Sequence, residues 1–371
     1  MSGPISVRIA YDHQIFTRQN YGGISRYFAN LAGEVSNLGV ETHIFAPKHI
    51  NHYLNEVSPN IVKGRFTQSY SKGTRALAQL YNVLQVNKQI KKWQPDIVHE
   101  TFYSHKGDYS GTHKTVATVH DMIPELYPEL YKSPALMSKK KFNALERADQ
   151  IICVSENTRK DLLRLMPIDE SKVAVVHLGG DVSIDMGNTL EKPPVSGAYL
   201  MYTGQRHGYK NFAGFIEAVA SSNKLINDFK IVCFGGGAFS DQEKAHILSL
   251  GFQSGQVIQF GGSDQTLHLC LRGASAFVFP SLYEGFGIPP LEAMSCGCPV
   301  VCSNVSSIPE VAGNAAEYFS PSSKLELANA IENVVYSATR TAELVNAGNA
   351  RVRQMSWGTC AQKTHQIYSS L

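Results

Sequence analysis

Two glutamates, Glu284 and Glu292, stand eight positions apart in the run Tyr283-Glu284-Gly285-Phe286-Gly287-Ile288-Pro289-Pro290-Leu291-Glu292-Ala293-Met294. The apolar stretch Ala276-Phe277-Val278-Phe279-Pro280 just before it reads as a buried strand ended by its proline. The double proline opens a helix, because proline at the first helical position gives up no N–H that the helix needs. With Pro290 as that position, Glu292 falls in the first turn, and Gly297 stops the helix. The spacing therefore predicts strand, loop and helix, with one acid in the loop and one at the helix start. A helix N-terminus favours anions, but a carboxylate there repels a phosphate. A pair of neighbouring sugar hydroxyls suits Glu292 better, since a carboxylate accepts two such hydrogen bonds. The plain alternative is an ordinary turn with two surface acids.

A second group pairs cations. Arg206 and Lys210 lie four apart in Gly204-Gln205-Arg206-His207-Gly208-Tyr209-Lys210-Asn211, between the apolar run Tyr199–Thr203 and a helix beginning near Phe212. Arg offers a planar fork and Lys a compact charge, a combination that suits a diphosphate. Each charge-assisted hydrogen bond contributes roughly 1.5–3 kcal/mol. Two surface charges at a turn are the alternative. In the first half, His120 and Asp121 follow the buried strand Thr115–Val119, at the end of an α/β sheet that faces the ligand crevice. A structural histidine is the competing reading. Gly22-Gly23 precede a helix over Ser25–Leu38 and let the backbone approach a ligand closely; a tight turn explains them equally well. The aromatic and proline-rich Met122–Tyr131 reads either as a rigid loop lining an acceptor groove or as a segment packed on the core.

The setting EGFGIPPLEAMSCGCPVV, with its Glu-x7-Glu spacing, resembles the signature of retaining glycosyltransferases of family 4. The resemblance runs through nearly the whole chain and is most specific from Thr203 to Pro309. It implies an α/β fold of the GT-B type, two Rossmann-like doubly wound parallel-sheet domains facing a cleft. Residues 1–185 would form the acceptor-side domain, 186–197 a linker, 198–355 the nucleotide-sugar-binding domain and 356–371 a helix returning to the first domain. By the same resemblance Glu284 holds the donor sugar and Glu292 the ribose. The amides of Phe286, Gly287 and Ile288 lie along the sugar and diphosphate. Arg206 and Lys210, beside the matching Asn211, neutralise the diphosphate as the glycosidic bond breaks. Gly22 and Gly23 approach the donor phosphate or the acceptor, His120 approaches the donor sugar, and Phe260 with Gly261 contacts the base. The implied activity is metal-independent, retaining transfer of a hexose from GDP-mannose or UDP-glucose to a glycan or lipid-linked glycan in polysaccharide biosynthesis. GDP-mannose leads, on likeness to bacterial surface-polysaccharide mannosyltransferases. A non-catalytic nucleotide-sugar-binding subunit and a GT-B epimerase stay open.

Composition sets the bounds. A chain of 371 residues, 43% hydrophobic and 18% charged, suits a soluble protein of two domains. Net charge is only +3, and no nucleic-acid partner is expected. Residues 1–190 carry 22 Lys and Arg against 18 Asp and Glu, with runs at Lys139-Lys140-Lys141 and at Lys88, Lys91 and Lys92. Such runs read as solvated helix faces or as a peripheral membrane or anionic-acceptor patch in the first domain. No apolar run reaches 18 residues and no signal pattern opens the chain, so the expected location is cytoplasmic, at most against the inner face of the membrane. Seven cysteines fit reduced, buried thiols. Cys296, Cys298 and Cys302 resemble a partial metal set without a fourth ligand. No cofactor is expected: Gly235-Gly236-Gly237 lacks the third dinucleotide glycine, since residue 240 is Ser240. The chain has no Gly-Lys of a P-loop and no Asp-x-Asp to hold a cation.

Overall fold

The computed structural model describes residues 7–70, 73–104, 109, 111–180 and 194–371. Most of the expected linker, 186–193, lies outside the described residues. The chain divides into two compact units, Met1–Gly179 with Trp357–Leu371, and Gly180–Ser356. Each is built on one parallel sheet.

The first sheet holds β1 (Arg8–Tyr11), β2 (Glu41–His49), β3 (Val62–Phe66), β4 (Ile97–Glu100), β5 (Lys114–Val119), β6 (Gln150–Cys153) and β7 (Val173–Val175), in the order β3-β2-β1-β4-β5-β6-β7. The second holds β8 (Tyr199–Thr203), β9 (Lys230–Phe234), β10 (Val257–Phe260), β11 (Ala276–Phe279), β12 (Val300–Ser303) and β13 (Ala316–Phe319), in the order β10-β9-β8-β11-β12-β13. Every strand pair is parallel. Both orders reverse direction once, between β1 and β4 and between β8 and β11. Such a switch point leaves a crevice at the carboxyl ends of the strands, where ligands of doubly wound sheets bind. Covered on both faces, the central strands are continuously apolar: Ala-Phe-Val-Phe in β11 is wholly buried. The edge strand β3, Val-Lys-Gly-Arg-Phe, is largely exposed, and β2 bends beside it at a bulge around Pro47.

Buried Phe215, Ile216, Val219, Ile331 and Val334 pack helices on the second sheet. Helix Gly23–Asn37 buries Tyr27, Phe28, Leu31 and Val35 and ends before Gly39, whose φ of +84° is a conformation only glycine takes freely. The last helix, Trp357–Ser369, belongs to the first unit. Its Tyr368 hydroxyl lies 2.6 Å from His99 Nδ1 and 3.0 Å from the Tyr11 hydroxyl, and His99 Nε2 lies 2.8 Å from Thr118 Oγ1. Burial lowers the His99 pKa to about 3, so the ring is neutral and both its nitrogens are satisfied.

The helix after β11 spans Ile288–Ser295, with Pro289 and Pro290 as its second and third residues. It begins two residues before the expected Pro290, because Gly287 at φ +94° turns the chain early. Glu292 is therefore the fifth helical residue rather than a first-turn acid. The lysine run is corrected too. Lys139 is exposed, but Lys141 is 3% exposed and paired with Glu125 at 2.7 Å.

Tyr368→Phe should leave His99 Nδ1 buried without its partner. Urea unfolding is expected to show a loss of about 1–3 kcal/mol, with secondary structure retained by circular dichroism.

Candidate active site

The second sheet delivers its chemistry at the switch point. After β8 the chain turns through Gly204, at φ +106°, and a short 3-10 turn over Gly208–Lys210; Asn211, at φ +52°, then opens helix Phe212–Ser221. After β11 comes the loop from Pro280 to Gly287. The two segments are stitched together. Asn211 Nδ2 donates to the Pro280 carbonyl at 3.1 Å, and the Leu282 amide to the Tyr209 carbonyl at 2.7 Å. Lys210 Nζ lies 2.7 Å from Glu284 Oε1, and the side chains are 20% and 10% exposed. The pair sits at a place only partly open to water.

Glu284 is held from behind. Its amide donates to Ser306 Oγ at 2.9 Å, and Ser307 Oγ lies 2.9 Å from the carbonyls of both Glu284 and Phe286, sharing one proton between them. Ser303 Oγ donates to the Ser281 carbonyl at 2.5 Å. A side chain at Gly287 would approach the Phe279 ring to 3.3 Å, and its left-handed φ independently favours glycine. Phe286 and Glu292 are buried, at 4% and 9% exposure. Of the four amide positions that no helical turn satisfies, counted from the N-cap Gly287, two are prolines without an N–H, which leaves those of Gly287 and Ile288.

Arg206 takes a different position. Its Nε donates to Glu243 Oε1 at 2.7 Å, Nη2 reaches the Ala238 carbonyl at 3.1 Å and Glu243 Oε2 at 3.4 Å, and Nη1 donates to the Gly235 carbonyl at 3.3 Å. The guanidinium also stacks 4.5 Å from the Phe239 ring centroid. Gly235, Gly236 and Gly237 all have left-handed φ, and a side chain at Gly236 would collide with Nη1. The triple glycine therefore wraps a guanidinium, and a single N–H on Nη1 remains for anything else. Arg206 pulls the Glu243 carboxyl down to about 2, helped by the Ser240 amide. Phe260 ends β10, two strands from β8 in the same sheet, and Gly261 follows it; the Phe260 carbonyl accepts from the Gly235 amide at 2.9 Å.

In the first unit, His120 follows β5 and lines a hollow of about 410 Å³ with Arg18, Phe102, Tyr103, Tyr131 and Lys140. Its ring packs edge-on against Tyr27 and Phe28, with centroids 5.2 and 5.8 Å away. Burial first, then the charge of Lys141, lowers its pKa to about 3, so it is neutral at pH 7. Its Nε2 is buried with no hydrogen-bond partner among the described residues. Gln19 and Ile24, flanking Gly22 and Gly23, line the same hollow. A side chain on Gly22 would strike Gln19, whereas Gly23 has open space. In the segment Met122–Tyr131, Met122 and Ile123 are buried in the core, and Pro124 and Tyr131 line the hollow.

Sequence reasoning missed Ser306, Ser307, Glu243 and Asp12. Asp12 sits fully buried at the first switch point, accepting from the Thr101 and Gln14 amides at 3.0 and 3.1 Å. Nothing near these residues in sequence announces the partners they meet. Among the described residues, no group of three His, Cys, Asp or Glu side chains forms a metal-ligand set. Burial pushes the Cys296 thiol up to about 12, and those of Cys298 and Cys302 upward as well. No described helix is long and apolar enough to cross a membrane.

Residues 21–184 match the family model for glycosyltransferase family 4, and residues 191–351 match that for glycosyl transferases group 1. The O-antigen chain mannosyltransferase B of Escherichia coli is 29% identical over 271 residues, 70% of this chain and 71% of that protein. The serotype-specific mannosyltransferase WbdA of the same species is 27% identical over 75% of this chain, which spans only 37% of that longer protein. Among solved structures, a sucrose-phosphate synthase from Thermosynechococcus elongatus superposes with TM-score 0.75 at 19% identity, covering 98% of each chain. Anabaena HepE in complex with UDP and glucose gives TM-score 0.72 at 19% identity, covering 99% of this chain and all of the other.

Glu243→Gln should remove a carboxylate whose pKa is lowered from 4.5 to about 2. That lowered value adds stability above pH 4.5, which is lost as pH falls towards 2. The variant is expected to be weaker at pH 7 by about 2 kcal/mol, allowing for partial solvent screening, and to lack this part of the acid dependence. Urea unfolding at pH 7 and pH 3 checks both points.

Proposed function

The chain belongs to the glycosyltransferases of group 1 and family 4, with two Rossmann-like units of the GT-B type, and from that membership we propose that it moves a hexose from a nucleotide diphosphate sugar to a glycan or lipid-linked glycan with retention and without a metal ion. GDP-mannose is the leading donor, because the bacterial relatives are named as mannosyltransferases. UDP-glucose is second, after the complex of HepE with UDP and glucose.

The observation that carries this reading is the Lys210–Glu284 pair at the switch point of the second sheet. Lys210 has three N–H groups. One engages Glu284, and the others are available to the diphosphate, on which negative charge grows as its bond to the sugar breaks. Glu284 uses Oε1 for Lys210, which leaves Oε2 for a sugar hydroxyl. Glu292 accepts from the ribose hydroxyls. Arg206 supplies positive potential and one N–H, with Glu243 fixing its direction. The acceptor hydroxyl attacks the anomeric carbon on the face from which the diphosphate leaves, and its proton passes to the departing phosphate. His120, neutral at the working pH, offers its Nε2 to a substrate hydroxyl at its own hollow and takes no proton.

Lys210→Ala and Glu284→Ala should each lower turnover by about 10²–10³-fold, the scale for losing one preorganised electrostatic group, with secondary structure retained by circular dichroism although the partner left unpaired lowers the urea midpoint. A donor-hydrolysis assay separates an enzyme from a binding subunit, and proton NMR of the product separates a retained glycoside from an epimerised donor. Undiminished turnover in both variants would sink the assignment.

A further inference from the structure

Helix Arg75–Trp93 has two apolar rows, and the fold uses one. Ala78, Asn82, Val86 and Ile90 recur every four residues and are buried, with Val86 and Ile90 packed in a cluster with Phe45 and Val98. Asn82 fixes the helix on β2. Its Oδ1 accepts from the Lys48 amide at 2.8 Å and its Nδ2 donates to the Lys48 carbonyl at 2.9 Å. The other row is Leu77, Leu80, Tyr81 and Leu84, at spacing i, i+3, i+4 and i+7, with exposures of 66, 57, 49 and 61%. At 3.6 residues per turn it lies about half a turn around the helix from the buried row. The same outward face continues as Lys88, Lys91 and Lys92, all exposed. None of the 19 residues of the helix is acidic. A hollow of about 530 Å³ beside Leu77 and Tyr81 is also lined by Phe66, Lys48 and Arg65.

A stripe of large apolar side chains in water marks a surface that something covers, and the charges around it select what. A second copy packed here would set cations against cations. An anionic lipid surface answers both features at once, since apolar side chains enter the headgroup–acyl boundary while lysines meet lipid phosphates. We propose that the outer face of helix Arg75–Trp93 docks the first unit on an anionic bilayer, with the stripe Leu77 to Leu84 inserted and Lys88, Lys91 and Lys92 on the headgroups. The rigid Asn82 anchor keeps the stripe facing outward when no membrane is present.

Co-sedimentation with phosphatidylcholine vesicles, with and without phosphatidylglycerol, tests this independently of the donor or acceptor. The chain should pellet with the anionic vesicles, remain in solution with the neutral ones, and be released by salt. Lys88→Gln combined with Lys91→Gln and Lys92→Gln should weaken binding about a hundredfold, from about fivefold per lysine. Leu77→Ser combined with Leu80→Ser and Leu84→Ser should weaken it at least tenfold, on the order expected for exposing that apolar area. All six positions are exposed, so circular dichroism and urea midpoints should stay close to those of the parent chain. Parent chain left in the supernatant with anionic vesicles, or either variant binding as the parent does, overturns the proposal. So does a serine variant that turns a dimer into a monomer on gel filtration while vesicle binding persists, which makes this face a contact between copies.

Discussion

The second unit depends on one constraint: two loops that leave a parallel sheet on either side of its switch point must be held together although no strand joins them. Lys210 and Glu284 bridge them, with the Asn211 and Leu282 hydrogen bonds alongside. A lone ammonium or carboxylate at so sheltered a place would pay for its lost hydration with nothing in return. As a pair they satisfy each other, and both are aimed before a ligand arrives. The serines after β12 complete the support, fixing the loop backbone so that the Glu284 carboxylate has little freedom to lose on binding.

The two cations of the β8 turn divide their tasks. Among the described residues Lys210 has one hydrogen-bond partner, Glu284, and spare donors. Arg206 is nearly saturated by Glu243, two carbonyls and an aromatic face. A charge embedded in this way acts through its field more than through direct contact. Of the left-handed glycines after β9, Gly236 has no room for a side chain against the guanidinium, and the Gly235 carbonyl accepts from it.

The interior strands were legible because burial on both faces leaves them no room for polar residues: Ala276–Phe279, Val300–Cys302 and Lys230–Phe234 all stand out as short apolar runs. Val62–Phe66 carries Lys, Gly and Arg on an exposed edge and gives no such signal. The helix after β11 was placed two residues late, because a double proline marks a helix start only to within a residue or two, and the left-handed Gly287 sets the true one. Site residues close in sequence, such as Glu284 and Glu292, could be grouped from spacing. Lys141 with Glu125, Arg206 with Glu243 and Glu284 with Ser306 could not, since only the folded chain brings them together. A lysine run on a helix gives no sign of which member turns inward.

The Tyr368 hydroxyl that completes the His99 nitrogen comes from helix Trp357–Ser369, which follows the second unit in sequence. On a ribosome, the first sheet therefore emerges with a buried imidazole still lacking its partner, and it waits for the whole intervening unit, Gly180–Ser356, to be made. The inserted unit has all its strands before then. Synthesis order thus favours the second unit settling first, with the earlier-made unit sealed by a helix that is made after it.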